Sequence, residues 1–396
     1  MSIQKPLSPA HRPAPLGGSL VTPVTVICAL LSAIAVYILA KRFIFGLGAV
    51  TNINDGFPWG VWIAWDVVIG TALACGGYSM ALLVYIMNKG RYHPLVRPAL
   101  LASLFGYTLG GASVMFDLGR YWNFYHIFTP GLAHPDSVMF EVAVCISLYI
   151  MVMWVEFSPA FFDRFGWTGM KTLVERLMFA FIGLGVLLPS MHQSSLGSLL
   201  VVFGHQIHPL WQTPLLPLLF LLSAIAMGFA VVVFESTLAT SGFRLKSETR
   251  LLAGIASVMN GLLAAYLVVR FGDLAVSGKL GLAFSSGFLS LMFWLEIAFF
   301  ALPLLLLQGA RRNRARCLFI GAVSMLLGGG LYRMDGFLVA YQTGAGWTYF
   351  PSLPELMVTI GLIAFEVLAY IVLVRVLPVL HPNKSEPAVA AAVAAE

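Results

Sequence analysis

Long apolar stretches dominate the chain and recur at intervals that suit helices crossing a membrane. Each holds about twenty residues or more, enough at about 1.5 Å per residue to cross a hydrocarbon core of about 30 Å. The sequence predicts ten such spans, near residues 20–40, 59–88, 97–119, 136–158, 173–190, 213–240, 250–271, 283–308, 316–340 and 354–378. We therefore expect an all-α, polytopic integral membrane protein.

The composition agrees with this class. Of the 396 residues, 59% are hydrophobic and 10% charged, and the mean hydropathy is +0.89. The four cysteines lie far apart in apolar segments without a CxxC pair, which indicates neither disulfides nor an intrinsic zinc or iron–sulfur site. The net charge of +6 does not indicate nucleic-acid binding, because the basic residues lie in short connections between spans.

The basic residues are divided unequally between the two sides of the membrane. With the N-terminus inside, seventeen of the 23 lysines and arginines fall on inner connections and tails. The remaining six fall outside: Lys41, Arg42, Arg120, Arg270, Lys279 and Arg333. Since basic connections stay in the cytoplasm, both termini are predicted to be cytoplasmic. The span at 20–40 is too long for a signal-peptide core and is predicted to remain as an anchor.

One polar stretch without charge interrupts the apolar pattern between Leu187 and Pro214. It reads LLPSMHQSSLGSLLVVFGHQIHPLWQTP, and no Asp, Glu, Lys or Arg occurs from Leu177 to Phe234. We interpret it as an outer loop whose side chains donate and accept hydrogen bonds to a neutral, lipid-borne ligand. The alternative is an interfacial or re-entrant segment whose polar groups only satisfy exposed backbone.

Carboxylates within the predicted spans are the second unusual feature, because a charge in hydrocarbon is costly. By position they are distributed across the bilayer: Asp66, Asp117 and Glu141 in the outer third, Glu296 and Glu366 near the midplane, Glu156 and Glu235 near the inner surface. They are candidates for proton transfer, and the alternative is a packing role against a neighbouring helix. Asp117 and Arg120 are three residues apart and are predicted to share one helical face.

All eight histidines fall in tails, loops or the ends of predicted spans. Haem bound between transmembrane helices needs histidine ligands within facing spans. We therefore expect no haem.

Six motifs resemble a known family: GFPWGVWIAWD (56–66), ACGGY (74–78), HPLVRPALLASLFGYTLGG (93–111), DLGRYWN (117–123), LLPSMHQSSLGSL (187–199) and HPLWQ (208–212). Together they resemble the membrane subunits of periplasmic Ni/Fe hydrogenases, often labelled cytochrome b, within the polysulfide-reductase and nitrite-reductase (NrfD-like) superfamily. The resemblance implies two four-helix bundles plus two flanking helices over residues 20–380. The distribution of basic residues predicts that the tails at 1–19 and 381–396 are cytoplasmic.

This resemblance also implies a function in anaerobic respiratory electron transport at the bacterial inner membrane. The expected chain is a haem-free, quinone-reactive subunit that takes electrons from a periplasmic iron–sulfur protein. That partner in turn receives its electrons from the large and small subunits of a Ni/Fe hydrogenase. The expected electron acceptor is menaquinone or ubiquinone. Proton translocation coupled to quinone reduction is a further possibility. No intrinsic iron–sulfur cluster is expected.

On this interpretation the quinone head group lies at the outer ends of the second to fifth spans. The candidate contacts are Trp59, Asp66, Asp117, Arg120, Tyr121, His126 and His192. The candidate proton-transfer residues are Tyr107, Glu141 and Glu235, with Glu296 and Glu366 on a competing route.

Two other classes remain open. A secondary transporter would bind its substrate near the midplane between repeated halves, but no internal repeat is evident and the polar stretch lies at one surface. A purely structural anchor has no use for carboxylates inside the membrane. Purification with partner proteins, followed by assays for bound quinone and for a haem Soret band, discriminates among these classes.

The predicted topology can be tested with reporter fusions. A fusion at Lys246 should report the cytoplasmic side and one at His205 the outer side, because the alternation of the ten spans fixes these positions. The Arg311–Arg316 connection and both termini should report the cytoplasmic side. The same side at both Lys246 and His205 would contradict the ten-span arrangement.

Overall fold

Ten membrane-length helices make up most of the computed structural model, which describes residues 13–245, 248–285, 287–344 and 346–380. They are α1 (Pro23–Phe45), α2 (Trp62–Ile86), α3 (Gly90–Asp117), α4 (Val138–Phe165), α5 (Thr168–Gln206), α6 (Leu216–Gly242), α7 (Thr249–Val276), α8 (Phe288–Leu306), α9 (Ala315–Val339) and α10 (Leu353–Val376). The prediction of ten spans in a polytopic all-α protein is confirmed. Residues 1–12 and 381–396 of the predicted tails, and Lys246, lie outside the described residues.

The helices pack as two groups of four with a flanking pair. α2 to α5 form the first group and α6 to α9 the second. The groups meet along a seam where α2 packs against α6 and α9, and α5 packs against α6. α1 and α10 pack against each other, and α10 also contacts α2 and α3. The first and last helices are therefore the two that flank the bundles.

The backbone of α2 is irregular where it crosses the centre of the molecule. Its turns at Trp62–Ile69 and Leu82–Ile86 are π-helical, a rare geometry that is often found at functional sites. Near its middle, α6 approaches so closely that a Cβ on Gly228 would lie 2.4 Å from the carbonyl oxygen of Cys75. Glycine at such contacts lets two membrane helices pack backbone to backbone. The seam is therefore tightly packed.

α5 is much longer than predicted. It is helical from Thr168 to Gln206, including a short 3₁₀ turn at its end, whereas the predicted span stopped at residue 190. The interpretation of residues 187–214 as an outer loop is therefore wrong as far as Phe203. His192 lies well inside this helix and is buried, so the prediction that every histidine lies outside the body of a span is also wrong.

The helix continues because its polar side chains find partners inside the protein. The buried positions recur at four-residue intervals, at Leu188, His192, Leu196 and Leu200. This spacing puts them on one face of a helix. A hydropathy profile alone misses this buried face, because the polar residues lower the mean hydropathy of the segment.

Three arginines that were assigned to outer connections are buried within helices instead: Arg42, Arg270 and Arg333. Arg42 near the end of α1 donates from Nε to the carbonyl oxygen of Phe116 at 2.7 Å and also bonds the carbonyl of Leu118. It thus satisfies carbonyls at the C-terminal end of α3, where cations are favourable. The other two arginines belong to internal polar clusters.

The two ends of the helix assembly differ in their connections. At one end, here called the loop face, lie the described residues of the longer connections: 46–61, 118–137, 207–215, 277–285 with 287, and 340–344 with 346–352. At the other, the basic face, lie those of the short connections: 87–89, 166–167, 243–245 with 248, and 307–314. Asp163 at the basic face accepts from Lys171 at 2.6 Å and from Arg97 at 3.3 Å. The assignment of the loop face to the outside stays a prediction.

Glu355 in the first turn of α10 holds the loop-face connections together. Its carboxylate accepts from the backbone N–H groups of Asn52 at 2.9 Å and Ser352 at 2.7 Å, and from the Tyr349 hydroxyl at 2.5 Å. The same hydroxyl accepts from the N–H of Val61 at 2.9 Å. Burial and the hydrogen bond to Glu355 raise the pKa of Tyr349, which keeps its proton available for donation.

The contact between α1 and α10 depends on Gly361. A Cβ at this position would lie 2.3 Å from Cβ of Ala35 and 2.9 Å from the carbonyl oxygen of Leu31. Gly361→Leu should therefore push α1 away and destabilise the protein by about 1–3 kcal/mol, as overpacking does. The measurement is the unfolding midpoint of the purified protein in detergent.

Gly261→Leu is the matched control, because no atom lies within 4 Å of a Cβ at this exposed position in α7. It should leave the midpoint unchanged or raise it slightly through better helix propensity. Equal losses in the two variants would contradict the packing role assigned to Gly361.

Candidate functional site

A buried polar cluster lies where α2, α3, α5, α6 and α9 meet. The Arg333 cluster, as we call it, comprises Thr71, Cys75, Tyr107, His192, Gln193, Ser223 and Arg333. Arg333 lies six residues from the end of α9, about 9 Å from the loop face at a rise of 1.5 Å per residue. The cluster therefore occupies the half of the membrane nearer the loop face and draws on both four-helix groups.

Arg333 is fully buried and its hydrogen-bond partners are neutral. Nη1 donates to Oγ of Ser223 at 3.0 Å. Nη2 donates to Oε1 of Gln193 at 3.0 Å and to the carbonyl oxygen of Phe220 at 3.1 Å. Among the described residues no carboxylate lies within ion-pair distance of this guanidinium, which is always protonated. The cluster thus carries a positive charge without a direct counter-charge.

Gln193 connects Arg333 to the first helix group. Its Nε2 donates to Oγ1 of Thr71 at 3.3 Å and to the hydroxyl of Tyr107 at 3.5 Å. Nε2 of His192 lies 3.1 Å from the same Thr71 hydroxyl, while its Nδ1 is buried with no hydrogen-bond partner in the described protein. Buried polar atoms are nearly always paired, so the free Nδ1 marks a place where a ligand can bind.

The predicted quinone contacts are divided among several places. Trp59 is buried at the seam and donates from Nε1 to the carbonyl oxygen of Phe337 at 2.8 Å. Oδ2 of Asp66 accepts from the Thr359 hydroxyl of α10 at 3.1 Å. Of the predicted contacts, only His192 belongs to the Arg333 cluster.

The remaining predicted contacts lie along the loop face. α3 ends at Asp117, so Arg120 does not share its helical face, and no ion pair joins them within the described residues. Arg120 is exposed. Tyr121 packs edge-to-face on Phe43 at 4.8 Å, and His126 is half-buried in the same 3₁₀ segment. The prediction that Asp117 and Arg120 share one helical face is therefore wrong.

The predicted proton-transfer residues fall into four regions. Tyr107 belongs to the Arg333 cluster, and Glu141 is half-buried in the first turn of α4 at the loop face. Near the basic face, Glu235 and Tyr370 line a cavity of about 50 Å³. Glu296 lies apart, in the second helix group.

Glu366 lies on the Glu235 side of the protein. Its Oε1 is 3.5 Å from where a Cβ on Gly106 would be, next to Tyr107 on α3, and it is within electrostatic range of Glu235. Glu296 lies on α8 in the second helix group whereas α10 packs against α3, and the competing route through Glu296 and Glu366 stays a prediction.

A second buried polar cluster lies among α7, α8, α9 and the connection after α5. The Glu296 cluster comprises Trp211, Tyr266, Arg270, Glu296, Tyr332 and Asp335. Glu296 accepts from Nε1 of Trp211 at 3.0 Å and from the hydroxyl of Tyr266 at 3.3 Å. The two clusters share α9, which carries both Tyr332 and Arg333.

Sequence analysis identified His192, Tyr107 and Glu296 but not the groups that organise them. Thr71 and Ser223 are small hydroxyl residues inside apolar runs, where they are usually unremarkable. Arg333 was visible as a basic residue, but it was placed on an outer connection. The available signal was an arginine next to the glycine-rich run Gly328–Gly330, which suits a residue inside a packed helix.

Known proteins similar to this chain include membrane subunits of oxidoreductases. "Probable Ni/Fe-hydrogenase 2 b-type cytochrome subunit" of Escherichia coli is 48% identical over 379 residues, which cover 95% of this chain and 97% of that protein. "Menaquinone reductase, integral membrane subunit" of Nitratidesulfovibrio vulgaris is 25% identical over 376 residues, covering 86% and 87%. A further protein of Nitratidesulfovibrio vulgaris is 31% identical over 382 residues, covering 92% and 97%.

The expectation of a haem-free chain is contradicted by these comparisons. The relative at 48% identity is named a b-type cytochrome subunit, which points to haem. The sequence argument had relied on the absence of histidines from the spans, and His192 removes that premise.

The positions of the described histidines decide whether they could ligate a haem. A pair of histidine ligands on facing helices requires two buried imidazoles. His192 is buried in a span, whereas the other described histidines lie exposed or half-buried at helix ends and connections: His93, His126, His134, His205 and His208. The described residues thus do not supply a facing pair of histidines.

The match to a protein family covers most of the chain. The family described as "Polysulphide reductase, NrfD" matches residues 49–344, which contain α2 to α9 and both polar clusters. This agrees with the motif resemblance and with the membrane subunits found among the relatives. The ten apolar helices agree with a multi-pass membrane protein. The chain belongs to the NrfD family.

Proposed function

We propose that this chain is the quinone-reactive membrane subunit of a respiratory Ni/Fe hydrogenase complex. Electrons from hydrogen oxidation in the large and small hydrogenase subunits reach it through a partner iron–sulfur protein at the loop face. They then pass to menaquinone or ubiquinone. The names of the relatives support this role, since one is a Ni/Fe-hydrogenase 2 subunit and another a menaquinone reductase subunit. The proposed location is the bacterial inner membrane, with the loop face in the periplasm.

The observation that carries the proposal is the buried positive charge of Arg333. Reduction of a quinone develops negative charge on its oxygens before protons arrive. A buried cation bonded only to neutral acceptors can stabilise that charge, because it is not already neutralised by a carboxylate. A preformed group of this kind is most effective where water is excluded.

The proposed head-group site lies on the loop-face side of the Arg333 cluster, among α2, α3, α4 and α5. The unpaired Nδ1 of His192 supplies a hydrogen-bonding group for one quinone oxygen. The aromatic residues of the 121–128 segment suit one wall of the site for the quinone ring, because this segment is only partly buried. Asp66 and Asp117 lie on the same side, at the ends of α2 and α3 that face the loops.

Two protons must reach the reduced quinone, and two routes are proposed. Glu141, at the start of α4, supplies protons from the loop face. A second route starts at the cavity beside Glu235 and Tyr370, continues to Glu366 and ends at Tyr107. The support for the second route is the position of Glu366, whose Oε1 lies against α3 at Gly106, the residue before Tyr107 in the chain. Carboxyl groups and tyrosine hydroxyls can act as proton carriers when suitably placed.

Arg333→Met should lower quinone-linked hydrogen uptake by about 10²–10³-fold, the usual effect of removing one preorganised stabilising group. Met keeps the length of the side chain but lacks the charge. Arg333→Lys should retain part of the activity, and His192→Ala should also reduce it. Hydrogen uptake with a soluble dye should remain normal in all three, since it bypasses this chain.

The dye assay also serves as the assembly control. A parallel loss of dye-linked and quinone-linked uptake would mean that Arg333 is needed for folding or complex formation. Normal quinone-linked uptake in Arg333→Met would contradict the proposed site.

Glu141→Gln and Glu235→Gln test the two proton routes. Each substitution keeps the shape of the side chain and removes its titratable proton. The variant on the route in use should lose most quinone-linked turnover while assembly and dye-linked uptake stay normal. Glu175→Gln, an exposed change at the basic face, is the matched control. Unchanged quinone-linked turnover in both variants would contradict both routes.

A further inference from the structure

The Glu296 cluster contains one buried cation and two buried carboxyl groups, and the two carboxyl groups have different surroundings. Glu296 accepts a hydrogen bond on each oxygen, from Trp211 at 3.0 Å and from Tyr266 at 3.3 Å. Both donors are neutral groups that favour an ionised acceptor. The Glu296 side chain is fully buried. Its surroundings therefore suit a carboxylate.

Asp335 has no comparable support. It is fully buried at the start of the π-helical turn that ends α9, and neither carboxyl oxygen has a hydrogen-bond partner in the described protein. A buried carboxylate without donors is very costly. These surroundings suit the neutral acid.

Arg270 supplies the positive charge of the cluster. It is fully buried, and none of its three guanidinium nitrogens has a hydrogen-bond partner among the described residues. Its guanidinium carbon lies 5.4 Å from the ring centre of Tyr332 and 5.7 Å from that of Phe293. Glu296 and Asp335 are both within its electrostatic range.

Other ionisable groups near the cluster do not change this charge balance. Asp273 lies one turn further along α7 and is also within electrostatic range of Arg270, but it is half-exposed, so solvent screens its charge. Arg333 bonds Gln193 and Ser223 on the opposite side of α9. His208, which packs against Trp211, is half-buried in a connection, and burial lowers its pKa, so it is neutral. Tyr266 is a neutral donor to Glu296, and the Tyr332 hydroxyl has no hydrogen-bond partner in the described protein.

We propose that Arg270, Glu296 and Asp335 form one charge-balanced site that stores a single exchangeable proton on Asp335. Glu296 is the carboxylate that neutralises Arg270. With both acids ionised the site would carry a net negative charge, and with both protonated a net positive charge, each unfavourable in an apolar interior. The two acids therefore titrate as a pair, and the proton on Asp335 depends on the charge of Glu296.

The geometry of α9 connects this site to the Arg333 cluster. Residues three apart lie on the same side of a helix, and residues two apart point to nearly opposite sides. Tyr332 and Asp335 accordingly belong to the Glu296 cluster, while Arg333 between them belongs to the other. A change of charge beside Arg333 therefore acts on the proton held by Asp335 across less than one turn of α9.

Infrared spectroscopy of the purified full-length chain tests the proposal directly. A protonated carboxyl group has a carbonyl band that carboxylates lack and that shifts in D₂O. Asp335→Asn should remove the band of one acid. Glu296→Gln should remove the band of one acid as well, because Asp335 then ionises to neutralise Arg270. Arg270→Met should add the band of one acid, because Glu296 then takes up a proton.

Glu175→Gln, an exposed change beside Lys171, is the control and should leave the protonated band unchanged. A retained Asp335 band in Glu296→Gln would overturn the proposal, since the two acids would then be independent. An unchanged spectrum in Asp335→Asn would also overturn it, because Asp335 would then be ionised. These two near-isosteric variants decide the question even if Arg270→Met does not fold.

Discussion

A membrane interior offers no water to polar groups, so each group placed there must find its partner within the protein. This constraint is most demanding at Arg333, whose guanidinium is fully buried and bonded by Gln193, Ser223 and a backbone carbonyl. These partners come from α5 and α6, so the charge can be accommodated only when both helices are in place. The close backbone contacts along the seam follow from the same requirement, since short side chains let the partners reach one another.

The two buried clusters solve the problem of a buried arginine in different ways. Arg333 is surrounded by neutral acceptors and keeps its charge available to a ligand. Arg270 has carboxyl groups within electrostatic range and no direct hydrogen-bond partner among the described residues, so its charge is balanced within the protein. This difference fits a division in which one helix group interacts with a substrate and the other holds a proton.

The sequence predicted the ten spans because length and hydropathy are sufficient for most membrane helices. It also identified His192, Tyr107 and Glu296 as unusual, since polar groups are rare in such segments. It could not predict that α5 continues through Gln193, because that depends on Arg333, 140 residues away. Nor could it place Glu366 against Gly106 of α3, which follows from the packing of α10 on α3. The expectation about haem failed for a related reason, because it treated His192 as lying outside the helix.

The seam has a consequence for how this architecture can change in evolution. The two groups of four helices resemble separable modules, but the Arg333 cluster takes side chains from both. A chain reduced to α1–α5 would leave Oε1 of Gln193 without the guanidinium that it binds. Gains and losses of helices should therefore be tolerated best at α1, whose side chains belong to neither cluster and to neither proposed proton route. The core of eight helices is expected to be inherited as one indivisible unit.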